Sequence, residues 1–196
     1  MARDDLVVDV GAGTAVLTRA LLDAGARVVA VERDAALAAG LRARFGGDIS
    51  VVEADVLDWP LPGGPFAVVA NLPFAGSGAI LSRLLRGPVT SADVIVEWGF
   101  AQKHVAVWPS TLKGTYWRTY YDVAIVRHLD RSAFSPTPAV DAAVVRFTRL
   151  PNRSSGPASR ISTGGSSLTH SVRRARSGER SGLSRRIGSP RSSASR

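Results

Sequence analysis

Residues 71–74 combine a side-chain amide, a proline and an aromatic ring directly after an apolar run. The run, residues 67–70, predicts a buried strand, so this cluster stands where the strand ends. The Asn71 side chain and the Pro73 carbonyl can accept hydrogen bonds, and Phe74 can stack on a flat ring. These residue types at this spacing can hold a planar base that carries an exocyclic amine. Alone, they are also consistent with a strand exit followed by a proline stop.

A glycine-rich turn near the start of the chain is a second candidate site. Asp9, Gly11 and Gly13 belong to the stretch 9–14, which joins a predicted strand at residues 6–10 to a helix that begins at Val16. The glycines allow left-handed dihedrals and a close approach of the backbone to a ligand. Val16 stands where the dinucleotide fingerprint G-x-G-x-x-G requires its third glycine. The turn alone is equally consistent with a ligand site and with a tight structural turn.

Two carboxylates follow the next two predicted strands. Glu32, which lies 21 residues after Gly11, can accept hydrogen bonds from both ribose hydroxyls of a nucleoside. Asp55 can accept one from an adenine amino group. Each residue alone could equally be a turn or cap residue. Parallel strands end at one sheet edge, where open α/β sheets bind ligands. The set favours S-adenosylmethionine over a nicotinamide dinucleotide, since the pyrophosphate site is incomplete.

Together these sites predict methyl transfer to an adenine amine, with Asn71 at both the cofactor and the base. The amine is a poor nucleophile because its lone pair is delocalised into the ring. Asn71 Oδ1 and the Pro73 carbonyl, by accepting its two hydrogens, would aim that lone pair at the methyl donor. Such catalysis depends on positioning and electrostatics and needs no nucleophilic side chain. The base must first be unstacked or flipped.

Strands alternate with helices along the chain. The predicted strands are residues 6–10, 28–31, 49–53, 66–70, 94–96, 120–127 and 140–148, and the predicted helices are residues 16–22, 35–44 (capped by Asp34) and 79–85. The strands are continuously apolar, as expected when both faces of a sheet are covered. The pattern predicts an α/β fold, a doubly wound and mostly parallel sheet whose last two strands form an antiparallel edge pair.

The net charge of +9 is confined to one end of the chain. Residues 1–150 contain 15 basic and 15 acidic residues, whereas residues 151–196 contain 10 arginines and a single acid, Glu179. We predict one domain over 1–150 and a disordered Ser/Arg/Gly-rich tail over 151–196. The high pI therefore says little about the folded part.

Several classes of protein are excluded by composition. The chain has no cysteine, its three histidines show no ligand spacing, and no apolar run approaches the roughly 20 residues that cross a bilayer. We expect no metal site, no membrane contact, residence in the cytoplasm and a monomeric chain.

The sequence resembles the rRNA adenine N6-methyltransferases, in particular the Erm-type macrolide-resistance enzymes. The resemblance covers nearly all of residues 6–150 and is carried by residues 9–14, Glu32, Asp55 and the stretches 71–74, 96–101, 106–111 and 134–141. It implies a Rossmann-like class I S-adenosylmethionine-dependent fold and methylation of an adenine in 23S rRNA, protein-free or partly assembled. Macrolide, lincosamide and streptogramin binding would then be blocked. It also implies that Phe134 is a second stacking wall for the base.

Family members carry a leader before the first strand and a small helical domain after the sheet. This chain starts five residues before Leu6, and its tail stands where that domain would be, so we expect weaker cofactor retention or RNA docking. The tail either makes salt-sensitive phosphate contacts or has no role. We interpret the aromatic residues near Trp117 first as part of the core. We interpret three cations first as solvated charges: Lys103, Lys113 and Arg118.

Other functions remain open from the sequence. A small-subunit (16S) rRNA dimethyladenosine transferase would share the cofactor strands and the residue 71–74 cluster. A noncatalytic RNA-binding protein on a degraded enzyme fold is a further alternative. A DNA adenine methyltransferase is disfavoured because those enzymes commonly use Asp-Pro-Pro-Tyr.

Overall fold

The structure, a computed structural model, describes residues 5–105 and 111–151. Its strands are β1 (Leu6–Val10), β2 (Arg27–Glu32), β3 (Ser50–Glu53), β4 (Phe66–Asn71), β5 (Val89–Glu97), β6 (Tyr121–Leu129) and β7 (Ala142–Arg149). Its helices are α1 (Val16–Asp23), α2 (Ala35–Phe45), α3 (Ser77–Leu84), α4 (Trp98–Val105) and α5 (Leu112–Tyr120), with a 3₁₀ turn at Arg131–Ala133. No helix within these residues is long and apolar enough to span a membrane.

The strands form one sheet in the order β3-β2-β1-β4-β5-β7-β6. Neighbouring strands from β3 to β5 are parallel, whereas β7 lies antiparallel between β5 and β6. The predicted fold, a mostly parallel Rossmann-like sheet with an antiparallel pair at one edge, is confirmed. Because β1 to β4 run in one direction, their carboxyl ends meet at the same edge.

Both faces of the sheet are buried along the central strand β1, whereas the edge strand β6 alternates buried and exposed residues in its first half. On β1, Val7 belongs to one hydrophobic cluster and Val8 and Val10 to another. Since successive strand residues point to opposite faces, the two clusters lie on opposite sides of the sheet. This double burial explains why the strand sequences are continuously apolar.

Helix α2 begins as its sequence predicts. The Asp34 side chain accepts hydrogen bonds from the backbone N–H groups of Ala36 and Leu37, at 2.9 and 3.0 Å. This cap satisfies two of the donors that a helix leaves free at its N-terminus.

Strand β5 is longer than predicted, since it begins at Val89 rather than at residue 94. Its first half includes Asp93, whose carboxylate binds Arg146 of β7 through two contacts of 2.7 and 2.8 Å. Polar residues therefore interrupt the apolar run without ending the strand.

Helices α4 and α5 were not predicted from the sequence. Trp117 of α5 is 1% exposed and lies edge-on to Phe147 of β7, with ring centroids 5.7 Å apart. Its interpretation as a core residue is confirmed. Arg118 donates from Nη2 to the Val105 carbonyl at 2.6 Å and so joins α5 to the end of α4. Trp108 and the predicted tail, apart from Pro151, lie outside the described residues.

Candidate active site

A cavity of about 580 Å³ opens at the carboxyl ends of β1 to β4. Its volume falls within the roughly 300–1,000 Å³ common for small-molecule sites. Most of the predicted site residues share its wall: Gly11, Glu32, Asp55, Asn71, Pro73, Phe74 and Phe134. Asp9 and Gly13 do not line it. Among the described residues, no group of three or more metal-ligating side chains comes together.

The turn after β1 has three residues in the left-handed region. Gly11 and Gly13 have φ of 69° and 50°, and Ala15 has φ of 71°. Only glycine adopts this region without steric cost, so Ala15 is strained by about 1–2 kcal/mol. The Gly11 N–H donates to the Val31 carbonyl at 2.8 Å, which fastens the turn to β2. The backbone of Gly11 thus faces the cavity without a side chain in the way.

The Glu32 carboxylate joins two turns. Oε2 accepts from the Gly13 N–H and Oε1 accepts from the Asp34 N–H, both at 2.9 Å. The residue is only 6% exposed, so these charge-assisted bonds fix its direction. Each oxygen keeps acceptor capacity, since a carboxylate oxygen can accept more than one hydrogen bond. Glu32 therefore shapes the glycine turn as well as the cavity wall.

Asp9 is buried beneath the turn rather than exposed to the cavity. Oδ2 accepts a hydrogen bond from the Thr18 hydroxyl at 2.6 Å, and Oδ1 has no hydrogen-bond partner among the described residues. Burial raises the pKa of this carboxyl from 3.8 to about 6; the Thr18 hydrogen bond opposes the rise and the nearby Glu32 adds to it. The structure thus gives Asp9 no wall position in the site. Thr18, its partner, carried no signal in the sequence beyond its place on α1.

The raised pKa of Asp9 predicts a pH-dependent stability. Between pH 3.8 and about 6 the folded chain binds more protons at Asp9 than the unfolded chain does, so stability falls as pH rises. We expect the free energy of unfolding, relative to the Asp9→Asn variant, to fall by up to about 3 kcal/mol across this window. Urea unfolding of both chains at a series of pH values measures the difference.

Asp130→Asn is the control for that series. The hydrogen bond from Ser132 lowers the pKa of exposed Asp130. The free energy of unfolding of wild type, relative to the Asp130→Asn variant, should therefore rise with pH, which is the opposite of the Asp9 series. A difference between wild type and Asp9→Asn that stays constant from pH 3 to pH 7 would contradict the desolvation of Asp9.

Asp55 lies in the segment that follows β3. Its Oδ1 accepts from the Leu57 N–H at 2.9 Å, and its main-chain carbonyl accepts from the N–H groups of Asp58 and Trp59, both at 3.0 Å. The other side-chain oxygen has no hydrogen bond within the described residues. Asp55 can therefore serve both the turn and a ligand, because one oxygen accepts the Leu57 N–H, the other keeps its acceptor capacity, and the residue lines the cavity.

Asn71 ends β4, and its side chain is exposed at the cavity with no hydrogen bond to another described residue. Two residues on, the Pro73 carbonyl accepts a hydrogen bond from the Ser77 hydroxyl at 2.7 Å. Ser77 is 1% exposed and opens α3, which begins two residues before the predicted helix. It was missed in the sequence, although a hydroxyl four residues after Pro73 is the signal to look for. The bond fixes the carbonyl and leaves it a second lone pair.

Phe134 lines the same cavity, and the loop that carries it meets the sheet at the carboxyl end of β5, where Ala142 pairs with Glu97. Phe134 lies in the loop of residues 130–141, which connects β6 to β7 and is called here the 130–141 loop. Asp141 closes this loop: Oδ1 accepts from the Arg131 N–H at 3.0 Å, and Oδ2 lies 3.1 Å from His128 Nε2. Its main-chain carbonyl also accepts from the Trp98 N–H at 2.9 Å. Both ends of the loop are therefore held at the sheet.

A family model and two curated relatives that match this chain are all described as ribosomal RNA methyltransferases. A family model described as "Ribosomal RNA adenine dimethylase" matches residues 1–159. The "rRNA adenine N-6-methyltransferase" of Bacillus licheniformis is 32% identical over an alignment of 154 residues that covers 74% of this chain and 53% of that protein. The "Probable ribosomal RNA small subunit methyltransferase A" of Natronomonas pharaonis is 39% identical over an alignment of 160 residues that covers 75% of this chain and 56% of that protein. The chain spans about half the length of the curated relatives it matches.

Two solved structures superpose on this chain. The structure titled "23S rRNA methyltransferase ErmE" superposes with a TM-score of 0.71 at 32% identity, covering 77% of this chain and 64% of that one. A dimethyladenosine transferase from Plasmodium falciparum superposes with a TM-score of 0.68 at 24% identity, covering 76% of this chain and 57% of that one. The second likeness supports the fold.

Proposed function

We propose that this chain, which belongs to the ribosomal RNA adenine dimethylase family, transfers methyl groups from S-adenosylmethionine to the N6 amine of an adenine in 23S rRNA. The family model over residues 1–159 and the 32% identical relative confirm the predicted resemblance to the rRNA adenine N6-methyltransferases. One observation carries the proposal. The Asn71 amide has no partner among the described residues and shares a wall with two carboxylates, Glu32 and Asp55. An available acceptor beside two groups that suit a nucleoside is the arrangement that transfer to an amine requires.

The residues present fit S-adenosylmethionine. Glu32 is held by two backbone N–H groups with acceptor capacity left for ribose hydroxyls, and Asp55 has an oxygen available for an adenine amino group. Gly11 follows β1, the neighbour of β2, and offers bare backbone next to Glu32. When bound, S-adenosylmethionine supplies a methyl group on a positively charged sulfur. Asp9 would act through the shape of the turn, since its carboxylate does not line the cavity.

The base would be held by acceptors and rings on the same wall. Asn71 Oδ1 and the Pro73 carbonyl would accept the two N6 hydrogens, and Ser77 keeps that carbonyl in place. Phe74 and Phe134, both on the wall, would stack on the flipped base. Since these groups are fixed before the reaction, they would stabilise the transition state without reorganising.

The choice of 23S rRNA is supported by the superposition on the structure titled 23S rRNA methyltransferase ErmE. It would make the chain a determinant of macrolide, lincosamide and streptogramin resistance. Small-subunit methyltransferases among the relatives, one of them 39% identical, support 16S rRNA as the second candidate. We further propose that the chain acts as a monomer in the cytoplasm on protein-free or partly assembled rRNA.

A tritiated-methyl transfer assay tests the proposal. The purified chain is incubated with labelled S-adenosylmethionine and with protein-free 23S or 16S rRNA, and primer extension then locates the modified base. We expect label in 23S rRNA, the substrate named for the structure that superposes at 32% identity. Two methyl groups on one amine remove both hydrogens used for base pairing and stop the primer at that adenine, whereas a single methyl group gives label without a stop.

The other outcomes assign the alternatives. A stop confined to 16S rRNA would replace the proposed substrate with the small-subunit one. No label in either RNA, together with no heat of S-adenosylmethionine binding in calorimetry, would favour the noncatalytic RNA-binding alternative. Asn71→Ala serves as the blank, since it removes an acceptor for the base and keeps both carboxylates, Glu32 and Asp55.

A further inference from the structure

Arg83, in the last turn of α3, binds the segment that follows β3. Its Nη2 donates to the Trp59 carbonyl at 3.0 Å, and its Nε donates to the Leu57 carbonyl at 3.4 Å. A guanidinium has donors on a rigid plane, so one side chain can hold two neighbouring carbonyls. Arg83 does not line the cavity, and no sequence pattern marked it.

The segment has one anchor on each side of Asp55. Before it, the Ala54 N–H donates to the Glu32 carbonyl at 3.1 Å. After it, Arg83 holds the carbonyls of Leu57 and Trp59. The hydrogen bonds inside the segment converge on Asp55, whose carboxylate accepts the Leu57 N–H. The direction of that carboxylate is therefore linked to Arg83 through a single residue, Leu57.

We propose that Arg83 is a positioning residue that sets the affinity and selectivity for the adenine end of the cofactor by holding the Asp55 segment. The inference rests on the proposed function, because it takes the ligand of Asp55 to be an adenosyl group. Without Arg83 the segment keeps its internal turn but loses its attachment to α3. Asp55 would then sample directions in which it no longer meets an amino group.

Binding of two ligands measures this role without any methyl transfer. S-adenosylhomocysteine carries a 6-amino donor on its base, whereas S-inosylhomocysteine carries an oxygen acceptor that an Asp55 carboxylate would repel. In calorimetry we expect Arg83→Met to lower the affinity for S-adenosylhomocysteine about tenfold, as the loss of charge-assisted hydrogen bonds implies. The affinity for S-inosylhomocysteine should change less, so the preference between the two ligands narrows.

Arg86→Met is the matched control. Arg86 lies just beyond the end of α3 and is exposed, so its replacement removes the same charge from the same helix terminus. Its ligand preference should remain that of the wild type. Arg83→Lys keeps the charge but not the fork, and we expect a loss between those of wild type and Arg83→Met.

Each result decides a different point. If wild type does not bind S-adenosylhomocysteine, the proposed function fails first. If wild type binds it selectively and Arg83→Met shows the same affinity and preference, the role of Arg83 is overturned. Should thermal melting show that Arg83→Met does not fold, Arg83→Lys decides, and unchanged selectivity in that variant overturns the inference. An equal loss of affinity for the two ligands would overturn the role of Arg83 in selectivity, because it would show that Arg83 supports the fold in general.

Discussion

Replacing Asn71 with alanine is expected to lower the rate of methyl transfer at saturating cofactor by about 100-fold or more. The side chain is exposed on the cavity wall and makes no hydrogen bond to another described residue, so its removal takes away an acceptor for the base. For the same reason the free energy of unfolding should change by less than about 0.5 kcal/mol. Single-turnover transfer and urea unfolding measure the two effects.

The ligand affinity separates this result from a damaged cofactor site. We expect the Kd for S-adenosylhomocysteine to change by less than about threefold, because Glu32 and Asp55 are untouched. Gln102→Ala, which removes an exposed amide from α4 away from the cavity, is the control and should transfer methyl groups at the wild-type rate. Undiminished transfer by Asn71→Ala would remove Asn71 from the mechanism.

Glu32→Gln is expected to reduce both stability and cofactor affinity, although the two side chains have nearly the same shape. Each carboxylate oxygen accepts a backbone N–H, from Gly13 on one side and from Asp34 on the other. The amide nitrogen of glutamine would have to face one of these donors and leave it unsatisfied. We expect a loss of about 2–4 kcal/mol in the free energy of unfolding, since the site is buried. Affinity for S-adenosylhomocysteine should fall about tenfold or more.

Glu53→Gln is the matched control for that variant. Glu53 lies opposite Glu32 in the register of β2 and β3, but its carboxylate is exposed and pairs with exposed Arg42 at 2.9 Å. An exposed pair of this kind contributes at most about 1 kcal/mol. If both variants lost the same stability, the double acceptance by Glu32 would not be what holds the turn.

The central strands β1 and β2 were predictable because both of their faces are covered, which makes each of them an apolar run. The amino-terminal half of β5 was not predictable, since polar residues interrupt its apolar run. One of them, Asp93, pairs with Arg146 of β7, which lies far from it in the sequence. Helix α5 carries Gly114 and several aromatic residues, a composition that does not favour helix. Burial of Trp117 against Phe147 outweighs that local preference. The Thr111 side chain, which accepts from the Gly114 N–H at 3.1 Å, was a readable cap.

The site was predictable to the level of residues but not of atoms. Glu32, Asp55 and Asn71 were singled out because parallel strands end at one edge, and they do share one cavity. What each oxygen already binds depends on turn dihedrals that the sequence does not reveal. Asp9 shows the difference, because its carboxylate turns inward to Thr18 rather than toward the cavity.

The hydrogen bonds of Asp141 affect which positions of the 130–141 loop can change without loss of the sheet. Its contacts with Arg131 and His128 hold the two ends of the 130–141 loop together, and none of these contacts involves Phe134 in the middle of the loop. Mutations around Phe134 can therefore accumulate while the flanking strands keep their pairing. A change of the residues that flank Phe134 can therefore alter this part of the cavity wall while Glu32, Asp55 and Asn71 stay in place at the ends of β2, β3 and β4.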